Sequence, residues 1–214
     1  MSYRIVQSYY KDLTKQSDEW VVDRLWATIL NLYFTAAEDF GVEVQPRPAP
    51  NKSKEANDVT IAYVHHETNK RKALCLIENK RVEFEGQSAK WAGAKEQLTG
   101  YMIAQRNTTK QQNEDMFGVV TVGRYSRFYV LPALKTELQS YPGTNDDYFE
   151  FKKNEEDIIK ILLQIKGTVS RPPSRERTTA SRPGSAAGSR PGSNAGSRPG
   201  SAAGFRPGSA GGTR

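Results

Sequence analysis

The stretch DVTIAYVHHETNKRKALCLIENK, residues 58–80, contains two apolar segments separated by a polar run. Residues 58–64 and 73–80 are rich in β-branched and apolar side chains, and HHETNKRK between them is polar enough to form a turn. We therefore predict an antiparallel hairpin. Because both faces of its second strand are apolar, that strand is expected to lie in the centre of a sheet that is covered on both sides.

Further helices and strands are predicted on either side of this hairpin. Ser17 is placed to cap a helix that Gly41 ends, with apolar side chains at helical spacing between them, namely Val22, Leu25, Trp26, Ile29, Tyr33, Ala36 and Phe40. A short strand is predicted at 42–44, before the hairpin. After it, the sequence predicts a helix at about 88–106, strands at 116–122, 127–131 and 148–152, and a final helix at 155–166 that Asn154 caps and Gly167 closes. The resulting order, α-β-β-β-α-β-β-β-α, predicts a mixed α/β sandwich.

The C-terminal part of the chain has a different composition. From Ser181 an eight-residue unit is repeated four times, as SRPGSAAG, SRPGSNAG, SRPGSAAG and FRPGSAGG. Such a segment buries too little apolar surface to offset its chain entropy, so we expect it to be disordered. We therefore divide the chain into a folded domain at residues 1–167 and a disordered Ser/Arg/Pro/Gly-rich tail at residues 168–214.

The formal net charge of +7 belongs to this tail. Residues 1–167 carry 23 basic and 23 acidic side chains, whereas the tail carries eight arginines and one acid, Glu176. The folded domain is therefore neutral overall. We interpret the tail as a solvated linker with weak, salt-sensitive affinity for anions. The alternative is that the repeat is the functional part, binding nucleic acid or a protein partner, and that the domain anchors it.

Cysteine content and apolar runs give an expectation about location. The one cysteine, Cys75, excludes an intramolecular disulfide and suits a reducing compartment. No apolar stretch has the length of a membrane span, and the N-terminal sequence lacks a signal-peptide core. We expect a cytoplasmic or nuclear protein that is neither secreted nor bound to a membrane. The sequence leaves the oligomeric state open.

Asp58 and the triplet ENK at residues 78–80 form a candidate metal site. Strand alternation puts Glu78 and Lys80 on one face, and Asp58 joins them if the hairpin pairs it with either residue. Two carboxylates ~5 Å apart repel each other by about 3 kcal/mol at an effective dielectric near 20. Mg²⁺ or Mn²⁺, which prefer oxygen ligands, would remove that repulsion. The alternative is an ordinary ion pair at an exposed strand end, since a second Glu-x-Lys triplet occurs at 150–152.

Residues on two helices extend this candidate site. Glu19 lies three and seven residues before Val22 and Trp26, so it projects from the buried stripe of its helix and needs a partner, such as a metal-bound water. Gln97 and Tyr101 lie four residues apart on one face of the helix that follows the hairpin. They are placed to bind a phosphate or to order the site. The alternative is a surface glutamine beside a core tyrosine.

In this order, Glu19, Asp58, the ENK triplet and the segment QLTGY at residues 97–101 resemble the PD-(D/E)XK nuclease superfamily. QLTGY resembles the Gln-x-x-x-Tyr motif of its RecB-type members. The segments GVVTVG at 118–123 and RFYVL at 127–131 resemble the strand pair that follows the active site in nuclease domains of restriction enzymes. Asn57 departs from the proline that many members have before the aspartate.

The resemblance implies a restriction-endonuclease-like fold, a mixed sheet flanked by helices, and a metal-dependent nuclease that acts on nucleic acid, with DNA as the favoured substrate and RNA as the alternative. Asp58, Glu78 and the backbone carbonyl of Asn79 would hold one or two Mg²⁺ or Mn²⁺ ions, and Glu19 would contribute through water. Such a protein would be an Mg²⁺-dependent deoxyribonuclease whose partner is nucleic acid.

The remaining residues of the motif would assist. Lys80 would orient or help to deprotonate the attacking water, and Gln97 and Tyr101 would support the site. The alternative keeps the fold without the chemistry, as a silent module that binds nucleic acid or a protein partner. The neutral charge of the domain favours this alternative, although basic residues at 70–72 or 80–81 would provide a local groove. The intact set of two acids and a lysine favours the nuclease.

Other side chains are less suited to catalysis. His65 and His66 fall in the predicted hairpin turn, where they are expected to face solvent. Trp20, Trp26 and Trp91 are predicted to lie in the core rather than to stack on bases. We therefore restrict the candidate catalytic residues to the acids, the lysine and the Gln-Tyr pair.

Overall fold

The computed structural model describes residues 3–44 and 58–169 of the 214-residue chain. Within these ranges the chain forms four α-helices and a seven-stranded mixed sheet, which confirms the predicted α/β class. The elements are α1 Arg4–Lys11, α2 Glu19–Tyr33, β1 Phe40–Val44, β2 Val59–His65, β3 Lys70–Lys80, α3 Ser88–Thr109, β4 Met116–Val122, β5 Tyr125–Leu131, β6 Gln139–Ser140, β7 Phe149–Glu150 and α4 Glu155–Gly167. The segment PRPAPNKSKEAN at residues 46–57 is predicted to be a loop, because its three prolines break regular structure. This segment and the repeats of the tail lie outside the described residues.

The sheet has the strand order β1-β2-β3-β4-β5-β6, and β7 pairs with the free part of the outer edge of β5. Among these strands β3 and β4 run parallel, and the other neighbours run antiparallel. Parallel neighbours need a long crossover, and α3 provides it. The predicted central position of β3 is confirmed, because β2 and β4 pair with its two edges.

The register of the β2–β3 hairpin decides which residues share a face. Val59 pairs with Ile77 and Ile61 pairs with Cys75, so continuing this register by one residue places Asp58 opposite Glu78. This is one of the two predicted registers. Towards the loop the pairing shifts by one residue, because Leu74 is inserted as a bulge. The bulge was not predicted.

The two faces of the sheet carry separate hydrophobic cores. Helices α1, α2 and α4 pack on one face with residues such as Leu25, Ile77 and Ile165. Helix α3 packs on the other face, where Leu76 and Leu98 are buried. The alternation of Leu76 and Ile77 between the cores explains why β3 is apolar on both sides.

The helix predicted between Ser17 and Gly41 is shorter than expected. Asp18 is its N-cap residue, and the Ser17 hydroxyl instead donates to the Asp12 carbonyl at 2.8 Å. The helix ends at Tyr33, because a separate 3₁₀ turn follows at Ala36–Glu38 and β1 starts directly after it. Gly41 lies within β1 and does not cap the helix. Helix α1 and strand β6 were not predicted.

A buried arginine fixes the C-terminal half of α3 to the loop after β5. The guanidinium of Arg106 donates to the backbone carbonyls of Leu131, Pro132, Lys135 and Glu114 at 2.5–3.2 Å. Burying a charge is costly unless its donors find partners. The four carbonyls offset that cost, so this contact is a structural one.

Two other expectations concern cysteine and membranes. Cys75 is a free, fully buried thiol in β3. In the described parts of the chain, none of the helices is both long and apolar enough to cross a membrane.

Candidate active site

Three segments bring acidic side chains to the C-terminal end of β3. Helix α2 contributes Glu19 from its first turn and Asp23 one turn later. Asp58 immediately precedes β2, and Glu78 lies near the end of β3. The charges of Glu78, Asp23 and Glu19 all raise the pKa of Asp58, so the four acids lie close enough to interact. The fold therefore gathers the predicted acids from α2, β2 and β3 in one region.

Glu78 and Lys80 form the centre of this cluster. Glu78 is only 3% exposed, and its Oε1 accepts a hydrogen bond from the Lys80 amine at 2.6 Å. The same amine lies 3.9 Å from Oε1 of Glu19, so it bridges two carboxylates. The second oxygen of Glu78, Oε2, is buried and has no hydrogen-bond partner in the described chain. Buried polar atoms are rarely left unpaired, so this oxygen is available to a further hydrogen-bond donor or to a cation.

Asp58 contacts the same end of β3. Its Oδ2 accepts a hydrogen bond from the backbone N–H of Asn79 at 2.5 Å. Burial and, to a smaller extent, the negative charge of Glu78 together raise the pKa of Asp58 to about 8, although the hydrogen bond from Asn79 opposes the rise. This environment therefore disfavours the ionised carboxylate when no cation is present.

The Asn79 side chain has a structural role that was not predicted. Its amide nitrogen donates to Oδ1 of Asp23 at 2.8 Å, and its amide oxygen accepts a hydrogen bond from the hydroxyl of Thr121. Thr121 pairs with Asn79 across the parallel strands β3 and β4. These two contacts hold the middle residue of the Glu-Asn-Lys triplet from two sides of the fold.

Asp23 is the charged residue that the sequence interpretation missed. It is almost fully buried, and burial raises its pKa to about 6 against the lowering effect of the hydrogen bond from Asn79. The neighbouring charge of Glu19 adds to the rise. A signal was present, because Asp23 lies four residues after Glu19 and three before Trp26, which places it on the buried side of α2.

The charges of Glu78 and Lys80 influence each other. Burial raises the pKa of Glu78, and the positive charge of Lys80 offsets part of that rise. Burial lowers the pKa of Lys80, but the charges of Glu78 and Glu19 outweigh this effect and leave it above its usual value. The amine is therefore protonated at neutral pH, so it is a hydrogen-bond donor and not a proton acceptor.

The predicted supporting pair lies on α3. Gln97 is exposed, and Tyr101 is buried in the core on the α3 side of the sheet. This burial matches the alternative description of a surface glutamine beside a core tyrosine. A supporting role for either residue stays a prediction.

The residues at this site have the right chemistry for a hard cation, although one oxygen of Glu78 and one oxygen of Asp58 already accept hydrogen bonds. In the described ranges, no three side chains from His, Cys, Asp and Glu are arranged to hold a metal ion. The buried and unpartnered Oε2 of Glu78 is the observation that fits Mg²⁺ or Mn²⁺, which take oxygen ligands.

The opposite end of the hairpin contains a cavity of about 560 Å³, lined in part by Tyr63, His65, His66 and Glu114. It lies at the loop end of β2 and β3, far along the strands from Glu78. His66 is exposed as predicted, but His65 is half-buried. The titratable groups there are separate from the acid cluster.

The basic residues at 70–72 do not provide a groove beside the acids. Arg71 pairs with Glu43 at 2.8 Å and Lys72 pairs with Glu114, both near the loop end of the hairpin. Of the two predicted basic clusters, only the one at residues 80–81 is at the candidate site. Its second member, Arg81, lies 3.3 Å from Asp18.

The three tryptophans do not share one environment. Trp26 and Trp91 are buried, as predicted. Trp20 is 55% exposed, so the prediction that it belongs to the core is wrong. Its ring is in contact with the guanidinium of Arg24, one turn later on α2.

Comparisons with known proteins assign no function to the acid cluster at the end of β3. No family model matches the chain, and no curated protein matches its sequence. The chemistry that follows is argued from the contacts, burial and charges at the end of β3.

Proposed function

We propose that this protein is a metal-dependent nuclease that hydrolyses phosphodiester bonds, with DNA as its substrate. The observation that carries the proposal is the buried, unpartnered Oε2 of Glu78 beside Asp58 and Lys80. An unsatisfied buried polar group costs about 1–3 kcal/mol, and several buried acids add mutual repulsion. A bound Mg²⁺ or Mn²⁺ would remove both costs.

We also propose that the fold is restriction-endonuclease-like and that the chain is a member of the PD-(D/E)XK superfamily. The order of elements supports this proposal, since an acid-bearing helix α2 and the β2–β3 hairpin precede α3 and the parallel strand β4. The acids belong to the segments on which the motif requires them. The antiparallel pair β4 and β5 occupies the segments that resemble the family's later strands.

In the proposed mechanism, the ligands are Asp58, Glu78 and the backbone carbonyl of Asn79, with Glu19 contributing through water. When bound, the metal supplies Lewis-acid stabilisation of phosphate charge and a more acidic water. The buried surroundings of Glu78 and Asp58 strengthen their attraction for a cation, because the local dielectric is lower than that of water.

The role of Lys80 in this mechanism follows from its charge. Because its pKa is raised, the amine donates hydrogen bonds at neutral pH and does not act as the base. It would orient the attacking water or neutralise part of the phosphate charge. Asn79 positions the strand end, since its side chain is held by Asp23 and Thr121.

The experiment is a cleavage assay with Mg²⁺ or Mn²⁺ on single-stranded DNA, duplex DNA and RNA. We expect the wild-type protein to cut DNA, and Asp58→Asn or Glu78→Gln to reduce the rate by at least about a hundredfold. Lys80→Ala should cost about 10²–10³-fold, as expected for the loss of an electrostatic hydrogen-bond donor. The matched control is Lys152→Ala, which removes the exposed lysine of the second Glu-x-Lys triplet and should leave the rate unchanged.

Cleavage that survives the combined Asp58→Asn and Glu78→Gln substitutions would eliminate this mechanism. Cleavage of RNA alone would keep the mechanism and change the substrate. Each variant is checked for a native melting curve, so that loss of activity is separated from loss of fold.

A silent nuclease-like module is the second candidate. The engaged oxygens of Glu78 and Asp58, together with the neutral charge of residues 1–167, favour it. This candidate predicts oligonucleotide binding without cleavage under any metal condition. Whether the tail is the binding part is tested in the full chain by serine substitution of the repeat arginines, Arg182, Arg190, Arg198 and Arg206. Unchanged binding would eliminate the tail as the binding part.

A further inference from the structure

The cavity of about 560 Å³ at the loop end of the hairpin has no part in the proposed nuclease reaction. Its lining combines aromatic rings, such as those of Tyr63 and Phe117, with the carboxylates of Glu114 and Asp115. Cavities of about 300–1,000 Å³ with a few polar groups in a mainly apolar lining are typical of binding sites. This cavity therefore has the size and the mixed chemistry that a specific occupant needs.

Two polar side chains in this cavity lack a partner. Nδ1 of His65 is buried and has no hydrogen-bond partner in the described chain. Asp115 accepts a hydrogen bond from the N–H of Ala133 at 2.8 Å, and no described lysine or arginine forms an ion pair with it. Glu114, in contrast, pairs with Lys72. The cavity therefore fits an occupant that brings a positive charge and several hydrogen-bond donors.

The described part of the chain ends beside this cavity. Thr168 and Val169 are the last described residues, and both belong to the lining. The N–H of Val169 donates to the carbonyl of Lys166 at 3.2 Å, and its side chain packs against the core. These contacts fix the point at which the chain leaves α4, so the next residues start at the edge of the cavity.

The sequence that follows supplies the required charge. It continues as Ser170-Arg171-Pro172-Pro173. Two extended residues span at most about 7 Å, so Arg171 is within reach of a cavity that Val169 lines. A guanidinium has five donors and a permanent positive charge, and Nδ1 of a neutral imidazole accepts when its proton is on Nε2. Arg171 therefore matches both groups that lack a partner.

The two prolines after Arg171 reduce the entropic cost of binding in the cavity. A residue before proline is restricted to extended conformations. Consecutive prolines favour the polyproline II conformation, which grooves lined by aromatic rings bind. Tyr63 and Phe117 provide such rings here. The segment therefore loses little conformational freedom when it is held.

We infer that residues 170–173 bind in this cavity of their own chain. The guanidinium of Arg171 pairs with Asp115 and donates to Nδ1 of His65, and the two prolines pack against the aromatic rings. Charge, reach and conformational preference all favour this occupant over an unrelated ligand.

The inference moves the end of the folded domain from Gly167 to Pro173. It is independent of the proposed nuclease activity, because the cavity and Glu78 lie at opposite ends of β3. Loss of cleavage in the assay above would leave it intact, and its own failure would leave the nuclease proposal intact.

The first test is a double-mutant cycle on the full-length protein, measured by melting temperature. Arg171→Ala should lower the melting temperature by about 2–4 °C. Asp115→Asn should lower it as well, since this variant keeps the acceptor for Ala133 but loses its charge. Because Asp115 also interacts with the charge of Arg106, the coupling within the cycle is the decisive quantity. The double variant should melt within about 1 °C of Asp115→Asn, because the pair is already broken there.

Arg182→Ala is the matched control. It removes the same side chain from the first repeat, eleven residues after Arg171. It should leave the melting temperature unchanged, both alone and together with Asp115→Asn.

The second test detects the contact itself. In NMR spectra of the full-length protein we expect nuclear Overhauser effects from the side chains of Arg171 and Pro172 to the ring protons of Tyr63. Arg171→Ala should weaken those from Pro172, because the segment loses its charged anchor.

Three results would overturn the inference. The first is additivity in the cycle of Arg171→Ala and Asp115→Asn. The second is the absence of Overhauser effects between residues 171–173 and the rings of the cavity. The third is their appearance between differently labelled chains in a mixed sample, which would assign the cavity to the segment of a second copy.

Discussion

The side-chain amide of Asn79 donates a hydrogen bond to Oδ1 of Asp23 at 2.8 Å, and so joins the C-terminal end of β3 to α2 inside the protein. On its other side the amide oxygen of Asn79 accepts from Thr121 of β4. Asn79 thus points towards α2, and alternation along the strand directs Glu78 and Lys80 to the opposite face. This contact therefore helps to set the direction of the proposed catalytic residues.

Asp23→Asn is expected to stabilise the metal-free protein. Burial disfavours the charge of Asp23, whose pKa is about 6, so the charged form costs free energy at pH 8. An asparagine removes that charge, and its side-chain oxygen still accepts the hydrogen bond from Asn79. We expect the free energy of unfolding, measured with urea in EDTA at pH 8, to rise by about 1–2 kcal/mol.

Asp23→Ala is the matched comparison for this prediction. It also removes the charge, but it leaves the amide of Asn79 without its partner, which costs about 1–3 kcal/mol. Its stability should therefore be close to that of the wild type and below that of Asp23→Asn. A lower stability of Asp23→Asn than of the wild type would show that the carboxylate contributes a favourable charge interaction.

The metal-free protein is expected to lose stability as pH rises. Burial raises the pKa values of Asp58 to about 8 and Asp23 to about 6 in the folded state, so the folded state binds more protons than the unfolded state between about pH 4 and pH 8. Protonation therefore favours folding in this window. The melting temperature in EDTA should be at least about 2–4 °C lower at pH 8 than at pH 5, a shift that corresponds to ~1 kcal/mol.

Two controls isolate the cause of this pH dependence. Asp58→Asn should flatten the curve in EDTA, because the variant has no carboxyl to ionise at this position. Millimolar Mg²⁺ should raise the melting temperature of the wild type most at pH 8, where the acids are ionised. A melting temperature that increases from pH 5 to pH 8 in EDTA would contradict the prediction.

Lys80→Ala should destabilise the protein in addition to reducing cleavage. The substitution leaves the buried Glu78 without its cation, and breaking a buried pair by removing one partner costs about 3–5 kcal/mol. The double variant Lys80→Ala with Glu78→Gln should recover most of that loss, since no charge remains unpaired. Urea unfolding of the four proteins in a double-mutant cycle measures the coupling.

Lys152→Ala gives the control for this cycle. Its side chain is exposed, so the free energy of unfolding should change by less than about 0.5 kcal/mol. Equal stability of the single and double variants at Lys80 and Glu78 would mean that the two side chains do not interact in solution.

Arg106→Met should destabilise the domain without changing the candidate site. Methionine has a similar length but no donors, so four backbone carbonyls lose their hydrogen-bond partner. We expect a loss of about 3 kcal/mol in urea unfolding. Lys135→Ala is the control, because Arg106 contacts the carbonyl of Lys135 and the exposed Lys135 side chain is not needed for that contact. A similar loss in both variants would contradict this explanation.

Local sequence patterns were sufficient for most of the fold. The β2–β3 hairpin, α3 and the β4–β5 pair were predicted because their apolar periodicity agrees with their burial. The predicted end of α2 was wrong because the buried Phe40 belongs to β1 and not to the helix. An apolar residue that is buried in the core can lie on either kind of element, so its burial does not identify the element. The C-terminal end of α2 is set by the turn at residues 35–39, which the apolar spacing does not predict.

The contacts around the acids depend on tertiary structure. The sequence places Asp58, Glu78 and Lys80 on one face, but the link from Asn79 to Thr121 joins residues 42 positions apart and requires the parallel pairing of β3 and β4. Trp20 was recoverable from the sequence. It lies six residues before the buried Trp26, which corresponds to about 240° of rotation around α2, so it falls outside the buried stripe.

The parallel pairing of β3 with β4 has a consequence for the synthesis of the chain. A ribosome releases the segment with the acids before it releases Thr121, which follows Asn79 by 42 residues, and at ~5–20 residues per second the delay is about 2–8 s. During this interval the growing polypeptide has an open strand edge at β3 and an asparagine without its hydroxyl partner. The acid cluster is therefore completed only after translation has passed β4, and a chain interrupted earlier contains the motif without the assembled site.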